Sequence, residues 1–290
     1  MRRKTVLFAT STCDLDLDIF KKYQINFIPN LVVMNGEEVI DDRSSDLTEY
    51  YKSLKKGLMP TTCQNNVDMF MGYFSDMAKD NDIVHVEISS GLTSTTEAAK
   101  QAMKLLKEKY PEGDFYAVDS LNASAGQALL LLRAVELRDS GQSAKEISDH
   151  LEEYKSKIGT YVTLKNLSHM YRGGRVSGSQ KFLGNMLNIC PIIEMDREGH
   201  LTPIGKAHGF KTAIKTLVDN IDKFIKDGEE YEDYILLVHS NEENNVDYLK
   251  SLIEAKYKNA KILVNEIGMN IGVHTGPGAV AVAYWRKDDR

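Results

Sequence analysis

The chain has 290 residues, of which 42% are hydrophobic and 27% are charged, and its formal net charge is −6 at pH 7. This length suggests two domains or one large one, and the composition is typical of a folded soluble protein. The acidic balance argues against a protein whose main partner is nucleic acid, because such proteins present a basic face. Cys13, Cys63 and Cys190 are too few and too far apart for a disulfide framework or a CxxC pair, which favours a cytoplasmic location.

The first half of the chain alternates short apolar runs with helical patterns. This alternation predicts a parallel sheet covered by helices on both faces. We expect strands at 6–9, 27–34, 83–88 and 115–118, and helices at 15–23, 46–56, 66–79, 95–109, 124–139 and 144–157. Ser94 followed by Glu97 predicts a capping box at the start of one helix. No apolar run approaches the roughly 18 residues that a membrane helix needs.

The second half has a different pattern, with fewer helices and a predicted antiparallel hairpin. We expect strands at 161–164, 188–195, 201–206, 234–238, 262–266 and 279–285, helices at 210–226 and 242–257, and a polar loop at 166–178. The change of pattern predicts a domain boundary near residue 157. The expected fold is therefore a three-layer α/β/α domain with a parallel sheet over 1–157, followed by a mixed-sheet α/β domain over 158–290.

Hydroxyl side chains cluster where three strands of the first domain are expected to end. The clusters contain Ser11, then Thr93 with Ser94, and then Ser120. Ligands of parallel α/β sheets bind beyond the carboxyl ends of the strands, so the clusters indicate a polar pocket for an anionic or carbonyl head group. The alternative is that these residues only cap helices. Thr62, just before another predicted helix, is open to both interpretations.

Two further segments are candidates for contact with a ligand or a partner. His274 is expected in a glycine-rich loop over 272–279, where it could donate to an anion or move a proton. Gly173, Gly174 and Arg175 form a basic turn that could contact a phosphate or an acidic partner. A solvated turn is an equally good interpretation of the second segment.

Several catalytic patterns are missing from the sequence. The segment around Gly205 fails the spacing of a phosphate loop, and the segment around Ser124 lacks the first glycine of a hydrolase elbow. No histidine, cysteine or carboxylate group has the spacing of metal ligands. The sequence therefore favours binding over catalysis, with neither a metal nor a cofactor expected.

Six short segments, in their order along the chain, resemble the DegV family of fatty-acid-binding proteins. They are Ser11-Thr12 with Asp14-Leu15, Pro60-Thr61-Thr62-Cys63-Gln64, Ile88-Ser89-Ser90-Gly91-Leu92-Thr93-Ser94-Thr95, Val118-Asp119-Ser120, Gly173-Gly174-Arg175-Val176-Ser177 and His274-Thr275-Gly276-Pro277-Gly278-Ala279. Each segment is unspecific alone, but the six together span essentially the whole chain.

The resemblance implies a two-domain α/β fold that buries one long-chain fatty acid between its domains. It implies that hydroxyl groups and the loop histidine hold the carboxylate, with Thr62, Thr93, His274, Ser94 and Ser11 as the expected lipid-binding residues. It also implies a separate fatty acid kinase as partner, which makes an acyl phosphate for phospholipid metabolism. In that scheme the chain itself is a binding protein and not an enzyme.

The sequence departs from the family pattern at five positions. Thr10 replaces an aspartate, Cys63 a serine, Asn65 a proline and Ser94 a glycine. His208 replaces a common arginine, and a neutral histidine lacks the fixed charge and the fork of donors that arginine offers a phosphate. Gly173, Gly174, Arg175 and His208 are the candidates for contact with phosphate or the kinase.

Two other functions compete with a fatty-acid carrier. A lipid-acting hydrolase could use a strand-end serine with His274, although the missing nucleophile elbow counts against it. A DNA-binding regulator conflicts with the net charge of −6. The partners expected are therefore a long-chain fatty acid and a kinase, without nucleic acid, and with peripheral contact to a membrane as an open possibility.

Overall fold

The computed structural model describes residues 3–176 and 188–290, and these residues form three sheets. The first is a four-stranded parallel sheet, the second is a six-stranded mixed sheet, and the third is a small three-stranded antiparallel sheet. Within the described parts of the chain, no helix is long and apolar enough to cross a membrane.

The parallel sheet forms the centre of a three-layer α/β/α unit, as the alternating pattern predicts. Its strands, in their order across the sheet, are β2 (Ile25–Ile28), β1 (Lys4–Thr10), β6 (Asn81–Glu87) and β7 (Phe115–Asp119). Helices of this unit are α1 (Leu17–Lys22), α3 (Val67–Ala78), α4 (Thr95–Lys109), α5 (Ala125–Asp139) and α6 (Ala144–Tyr154). Phe8, Phe74 and Leu106 belong to the apolar layer beneath α3 and α4.

The mixed sheet begins immediately after a 3-10 turn at Lys155–Lys157. Its strands, in their order across the sheet, are β10 (Leu201–His208), β9 (Ile189–Met195), β8 (Ile158–Leu164), β13 (Ala279–Trp285), β11 (Tyr234–His239) and β12 (Lys261–Glu266). The helices α8 (Phe210–Phe224) and α9 (Glu243–Lys256) pack on it. The hairpin of β9 and β10 is antiparallel, as predicted. The second sheet thus starts at the predicted boundary, which itself stays a prediction.

Helix α5 is shared between the two sheets. It contacts β1 and β6 on one side and β8, β11 and β13 on the other. Its residues Leu129, Leu130, Leu131 and Leu132 are all buried, which is the pattern of a helix that is covered on every side. One apolar cluster therefore runs from Leu7 in the first sheet to Val282 in the second.

The small sheet corrects a predicted strand. The segment 27–34 is expected to be one strand, but Pro29 separates β2 from β3 (Asn30–Met34), which pairs with β4 (Glu37–Asp41) and β5 (Thr61–Cys63). Proline has no N–H to donate to a sheet, so a strand readily breaks there. Between β4 and β5 lies α2 (Leu47–Lys55), which Asp46 caps by accepting the N–H groups of Thr48 and Glu49.

Three local predictions are wrong. Ser94 precedes α4, but its hydroxyl donates to Gln64 and makes no cap, so the predicted capping box is absent. The expected loop at 166–178 contains α7 (Ser168–Gly173), while its residues 177 and 178 lie outside the described residues. His274 is in a short helix, α10 (Met269–Thr275), and not in a loop, because the helix ends only at Gly276.

Candidate functional site

A cavity of about 260 Å³ lies between the carboxyl ends of the first sheet, the small sheet and α10. Its walls include the polar residues Thr62, Thr93 and His274 and the apolar residues Ile88, Leu92, Ala123, Met170, Leu201 and Ile271. Residues from both predicted domains contribute to it. The cavity therefore combines a polar end with apolar walls, as a site for an amphipathic ligand requires.

The polar end centres on Thr62 and His274. Thr62 lies in β5 opposite Val32, and His274 lies in the last turn of α10, which packs against β3 and β5. The Thr62 hydroxyl and His274 Nε2 are 3.2 Å apart, within hydrogen-bonding distance. Two residues that are 212 positions apart in the chain are thus brought together by the packing of a helix on a three-stranded sheet.

His274 is a neutral side chain at physiological pH. Burial, with a further contribution from the Arg175 guanidinium, lowers the pKa of His274 to about 4. A neutral imidazole has one donor and one acceptor, so His274 can donate to a carboxylate and can also pair with the Thr62 hydroxyl. The other ring nitrogen, Nδ1, is buried and has no hydrogen-bond partner in the described part of the chain.

Gly173 and Arg175 border this histidine, which gives the glycine–arginine turn a structural role. A Cβ atom at Gly173 would lie 2.5 Å from His274 Nδ1, so any side chain there would displace the imidazole ring. Arg175 lines the cavity, and its guanidinium donates to the carbonyl of Gly173. Gly174 is exposed and ends α7 with a positive φ of 66°. Ser177, the last residue of that motif, lies outside the described residues.

Of the three other candidate hydroxyl residues, Thr93, Ser94 and Ser11, one reaches the cavity. Thr93 lines it, and its hydroxyl lies 2.9 Å from that of Thr95. Ser94 is exposed, and its hydroxyl donates over 2.8 Å to Gln64, which itself lines the cavity. Ser94 therefore supports the cavity wall and does not contact the space inside it.

Ser11 lies behind the cavity wall, next to a buried ionic cluster. We define this ionic cluster as Asp14, Asp41 and Arg43. The Ser11 hydroxyl lies 3.0 Å from Asn30 Oδ1 and 3.1 Å from Asp41 Oδ2, to which it can donate. Arg43 is 4% exposed, and its guanidinium lies 3.6 Å from the Asp14 carboxylate. Sequence reasoning missed this cluster because its three members come from different elements.

The ionic cluster joins the first domain to α10. Asp14 accepts the N–H of Gly268 over 2.8 Å, and Asp41 accepts the N–H of Asn270 over 3.0 Å. Gly268 permits this approach, since a Cβ atom there would lie 2.4 Å from the Arg43 guanidinium. Burial raises the pKa of Asp14 to about 7, because the nearby Arg43 only partly offsets the loss of water. The cluster thus fixes the start of the helix that carries His274.

His208 is not brought to the cavity. It is the last residue of β10, where it is exposed and lies opposite Ile189. The contact of His208 with phosphate or a kinase therefore concerns the surface of the protein, and it stays a prediction.

Two asparagines of the cavity wall were not anticipated from the sequence. Asn30 begins β3, and Asn270 lies in the first turn of α10. Both are buried, with exposed fractions of 4% and 7%. The one available signal was the spacing of Asn270 and His274, which are four residues apart and therefore share a helix face.

A different group, His239, Glu243 and Glu266, gathers at the carboxyl ends of β11 and β12. One ligand atom of each lies within 4.8 Å of the others, although their sequence spacing did not indicate a metal site. The Nδ1 atom of His239 accepts the N–H of Glu242, so in the neutral ring Nε2 carries the hydrogen. Neither nitrogen then offers a free lone pair, and the arrangement does not favour a metal ion.

A larger depression of about 370 Å³ lies near the start of β1 and is lined by Arg3, Lys22 and Arg138. Its two arginines already donate to main-chain carbonyls, Arg3 to Ala78 and Asn81 and Arg138 to Tyr23. Because those donors are used, this depression is a poorer candidate for an anion than the cavity at His274.

Comparison with known proteins identifies the family. The sequence profile described as "Uncharacterised protein, DegV family" matches residues 4–287. The chain belongs to the DegV family. A DegV domain-containing protein of Clostridium perfringens is 34% identical over 285 residues, which cover 97% of this chain and 97% of that protein. The family that the six segments indicated is thereby confirmed.

Solved structures of DegV proteins have the same fold. A DegV lipid-binding protein from Thermotoga maritima has a TM-score of 0.86 and 27% identity, covering 99% of this chain and 100% of that one. DegV of Bacillus subtilis, described as a fatty acid binding protein, has a TM-score of 0.84 and 26% identity, covering 99% and 100%. The predicted two-domain fold, with a parallel sheet followed by a mixed sheet, is confirmed.

Proposed function

We propose that this protein binds one long-chain fatty acid in the cavity, with its carboxylate held by Thr62, Thr93 and His274. Three of the five side chains that the family resemblance assigned to lipid binding line one cavity. Ser11 and Ser94 act indirectly, because the first anchors Asn30 and the second anchors Gln64 in the cavity wall.

The pairing of a neutral His274 with Thr62 is the observation that carries this proposal. One proton of the pair forms the bond between the two groups, and the other remains to donate to a carboxylate without introducing a second buried charge. Arg175 supplies positive charge at the edge of the cavity. Hydrogen bonds to a charged group contribute about 1.5–3 kcal/mol, roughly twice as much as those between neutral groups. The head group is thus oriented by a few strong bonds.

The apolar walls supply the remaining affinity. Each methylene group transferred from water contributes about 0.8 kcal/mol, so a long acyl chain provides roughly 10 kcal/mol before the cost of ordering it. Ile88, Leu92 and Met170 are among the apolar side chains next to the polar end. The described wall is therefore suited to the first carbons of such a chain.

Mass spectrometry of lipid extracted from the purified full-length protein tests the proposal. We expect close to one fatty acid per chain after native purification. Delipidated protein should also rebind a C16 acid, with an affinity that falls by about fourfold for each methylene removed. Absence of lipid in the extract, together with no binding of any fatty acid from C12 to C18, would refute the proposed function.

We further propose that the protein presents its fatty acid to a separate kinase and has no hydrolase activity of its own. Among the described residues no serine lines the cavity, and the hydroxyl of Ser89 is bonded to the carbonyl of Gly199. His274 is therefore paired with a threonine and not with a nucleophilic serine. Turnover of long-chain acyl esters by the pure protein would contradict this assignment.

The surface beside the cavity provides candidates for the kinase contact. Arg172, on the outer side of α7, lines a shallow depression together with His169 and Lys55. The two cationic side chains, Arg172 and Lys55, suit an acidic partner or a phosphate. Contact with a membrane stays a prediction, and no cofactor or nucleic acid forms part of the proposal.

A further inference from the structure

The wall of the cavity next to the head-group site contains hydrogen-bonding capacity that the protein does not use. The side-chain amide of Asn270 forms no hydrogen bond with any described residue, although its main-chain N–H donates to Asp41. One end of the Asn30 amide contacts the Ser11 hydroxyl over 3.0 Å, and its other end has no partner within residues 3–176 and 188–290. Both side chains are more than nine-tenths buried.

This pattern does not depend on how the two amides are oriented. If the Asn30 amide is flipped, its NH₂ group donates to Ser11 and its carbonyl faces the cavity instead. In either orientation, one polar end of Asn30 and both polar ends of Asn270 remain available to a ligand. Both amides line the cavity, so a ligand that fills it excludes water from their free polar ends, and a polar group left there without a partner is costly.

The two amides lie close to the place proposed for the carboxylate. Asn270 and His274 are four residues apart on α10, which is one turn or about 6 Å along the helix. Asn30 is two residues before Val32, which lies directly opposite Thr62, so Asn30 and Thr62 point to the same face of the small sheet. Each amide is therefore about 6–7 Å, measured along its helix or strand, from a residue at the proposed carboxylate site.

We propose that the preferred ligand is a fatty acid with a hydroxyl group on its second or third carbon, and that Asn30 and Asn270 recognise that hydroxyl. The inference rests on the proposed function and specifies its substrate class. A hydroxyl both donates and accepts, so it can donate to one amide carbonyl and accept from the other amide NH₂. An unsubstituted acyl chain offers neither, and it leaves both amides unpaired against methylene groups.

Direct binding measurements on delipidated, full-length protein test this assignment. The probes are hexadecanoic acid, its 2-hydroxy and 3-hydroxy derivatives, and 12-hydroxystearic acid with stearic acid as its reference. A site that bonds a ligand hydroxyl discriminates against the analogue without it. We expect the 2-hydroxy or 3-hydroxy acid to bind at least tenfold more tightly than hexadecanoic acid, and the 12-hydroxy acid to bind no more tightly than stearic acid.

Two variants locate the preference. Asn270→Leu and Asn30→Leu replace an amide by an apolar group of similar size, and Asn244→Leu, at an exposed position in α9, is the matched control. In each cavity variant we expect the preference for the hydroxylated acid to fall to less than threefold, because the affinity for the hydroxylated acid falls by a larger factor than the affinity for hexadecanoic acid. If a leucine variant does not fold, as judged by circular dichroism, Asn270→Gln replaces it. The inference then depends on a reduced preference for the hydroxylated acid in Asn270→Gln and on the preference of the wild type.

Each other outcome overturns the inference. Equal wild-type affinity for plain and hydroxylated acids shows that the amides do not select a hydroxyl. Equal loss of both acids in the variants assigns the amides to the carboxylate itself. In both cases the proposed function survives, whereas failure of every fatty acid to bind refutes the function and this inference together. Lipid released from native protein should also be heavier by one oxygen atom than the unsubstituted acid of the same chain length.

Discussion

The two sides of α10 contact groups of different charge. Towards the cavity, the helix presents Asn270 and His274, which are neutral dipoles next to a proposed anionic ligand. Towards the first domain, its start contacts Asp14, Asp41 and Arg43, which are buried ionisable groups. The ionic groups behind the wall attach α10 to the first domain. The helix α10 itself places no fixed charge in the cavity, and the positive charge there comes from Arg175, which follows α7.

The comparison predicts that Arg43→Met has the largest effect on stability. The substitution leaves two buried carboxylates without their cation, a change that costs about 3–5 kcal/mol in comparable sites. Urea unfolding monitored by circular dichroism measures it. Arg172→Met, at an exposed position in α7, is the control and should change stability by less than about 0.5 kcal/mol.

The sign of the pH dependence tests the same cluster. The pKa of Asp14 is raised to about 7 in the folded protein, above the value of an unfolded aspartate, so Asp14 contributes stability at low pH that is lost as pH rises towards 7. Loss of Arg43 raises this pKa further, and the variant should therefore be destabilised more at pH 8 than at pH 5. An equal loss at both values would contradict a buried Asp14.

Substitutions in the cavity should reduce stability less than Arg43→Met does, and they should reduce fatty-acid affinity more. Thr62→Val and Thr93→Val each remove one hydroxyl from the proposed carboxylate site and keep the side-chain shape. We expect a loss of about 1–3 kcal/mol in fatty-acid affinity, or roughly five- to 150-fold in Kd, because a bond to a charged group is lost. Isothermal titration calorimetry on delipidated protein gives the value. Thr212→Val, exposed on α8, should bind as the wild type does, and unchanged affinity in both cavity variants would remove these residues from the site.

The pKa of His274 tests whether the cavity side of α10 is buried and neutral, in contrast to the ionic side. Without ligand, its pKa is lowered to about 4 by burial and by Arg175. A bound carboxylate favours the protonated ring, so the pKa should rise when fatty acid binds. NMR titration of the imidazole C–H resonances measures both states, with His274→Gln used to assign the signal. A midpoint near 6.5 without ligand would show that the ring is exposed to water.

The smallest effect is expected at His208, which is exposed at the end of β10 and does not line the cavity. His208→Arg should leave fatty-acid affinity unchanged, because the side chain does not line the cavity. It should increase acyl-phosphate formation by a cognate kinase, since arginine offers a fixed charge and a planar fork to phosphate oxygens. No gain in turnover at unchanged affinity would place His208 outside the kinase contact.

The sequence predicted the arrangement of sheets and helices better than it predicted the positions of the buried polar side chains. Alternating apolar runs were sufficient for the parallel sheet, and the family segments indicated Thr62, Thr93 and His274, which the fold brings to one cavity. Strand β5 is only three residues long and has no apolar repeat to reveal it, so its place in a sheet was missed. Short-range patterns describe one element at a time, and β5 is defined by its pairing with β3.

The same limit explains the residues that sequence reasoning missed or misplaced. Ser11 follows β1, as a ligand-binding hydroxyl would, but its neighbours Asn30 and Asp41 enclose it. Arg43 is an ordinary charged residue in the sequence, and only its burial beside Asp14 reveals its role. Contacts between distant segments decide these cases, and a single sequence contains no direct record of them.

The bond between Asp14 and Gly268 joins positions that are 254 residues apart, which has a consequence for the newly made chain. Synthesis delivers the N-terminal half first, and domains fold as they emerge. During that interval Asp14 has no Gly268 to receive its hydrogen bond, and water must occupy the place that α10 later takes. The first sheet can form early, but the binding site is completed only after β11 and β12 have been made. A nascent chain that stalls before Gly268 would therefore present a hydrated, incomplete pocket to the cell.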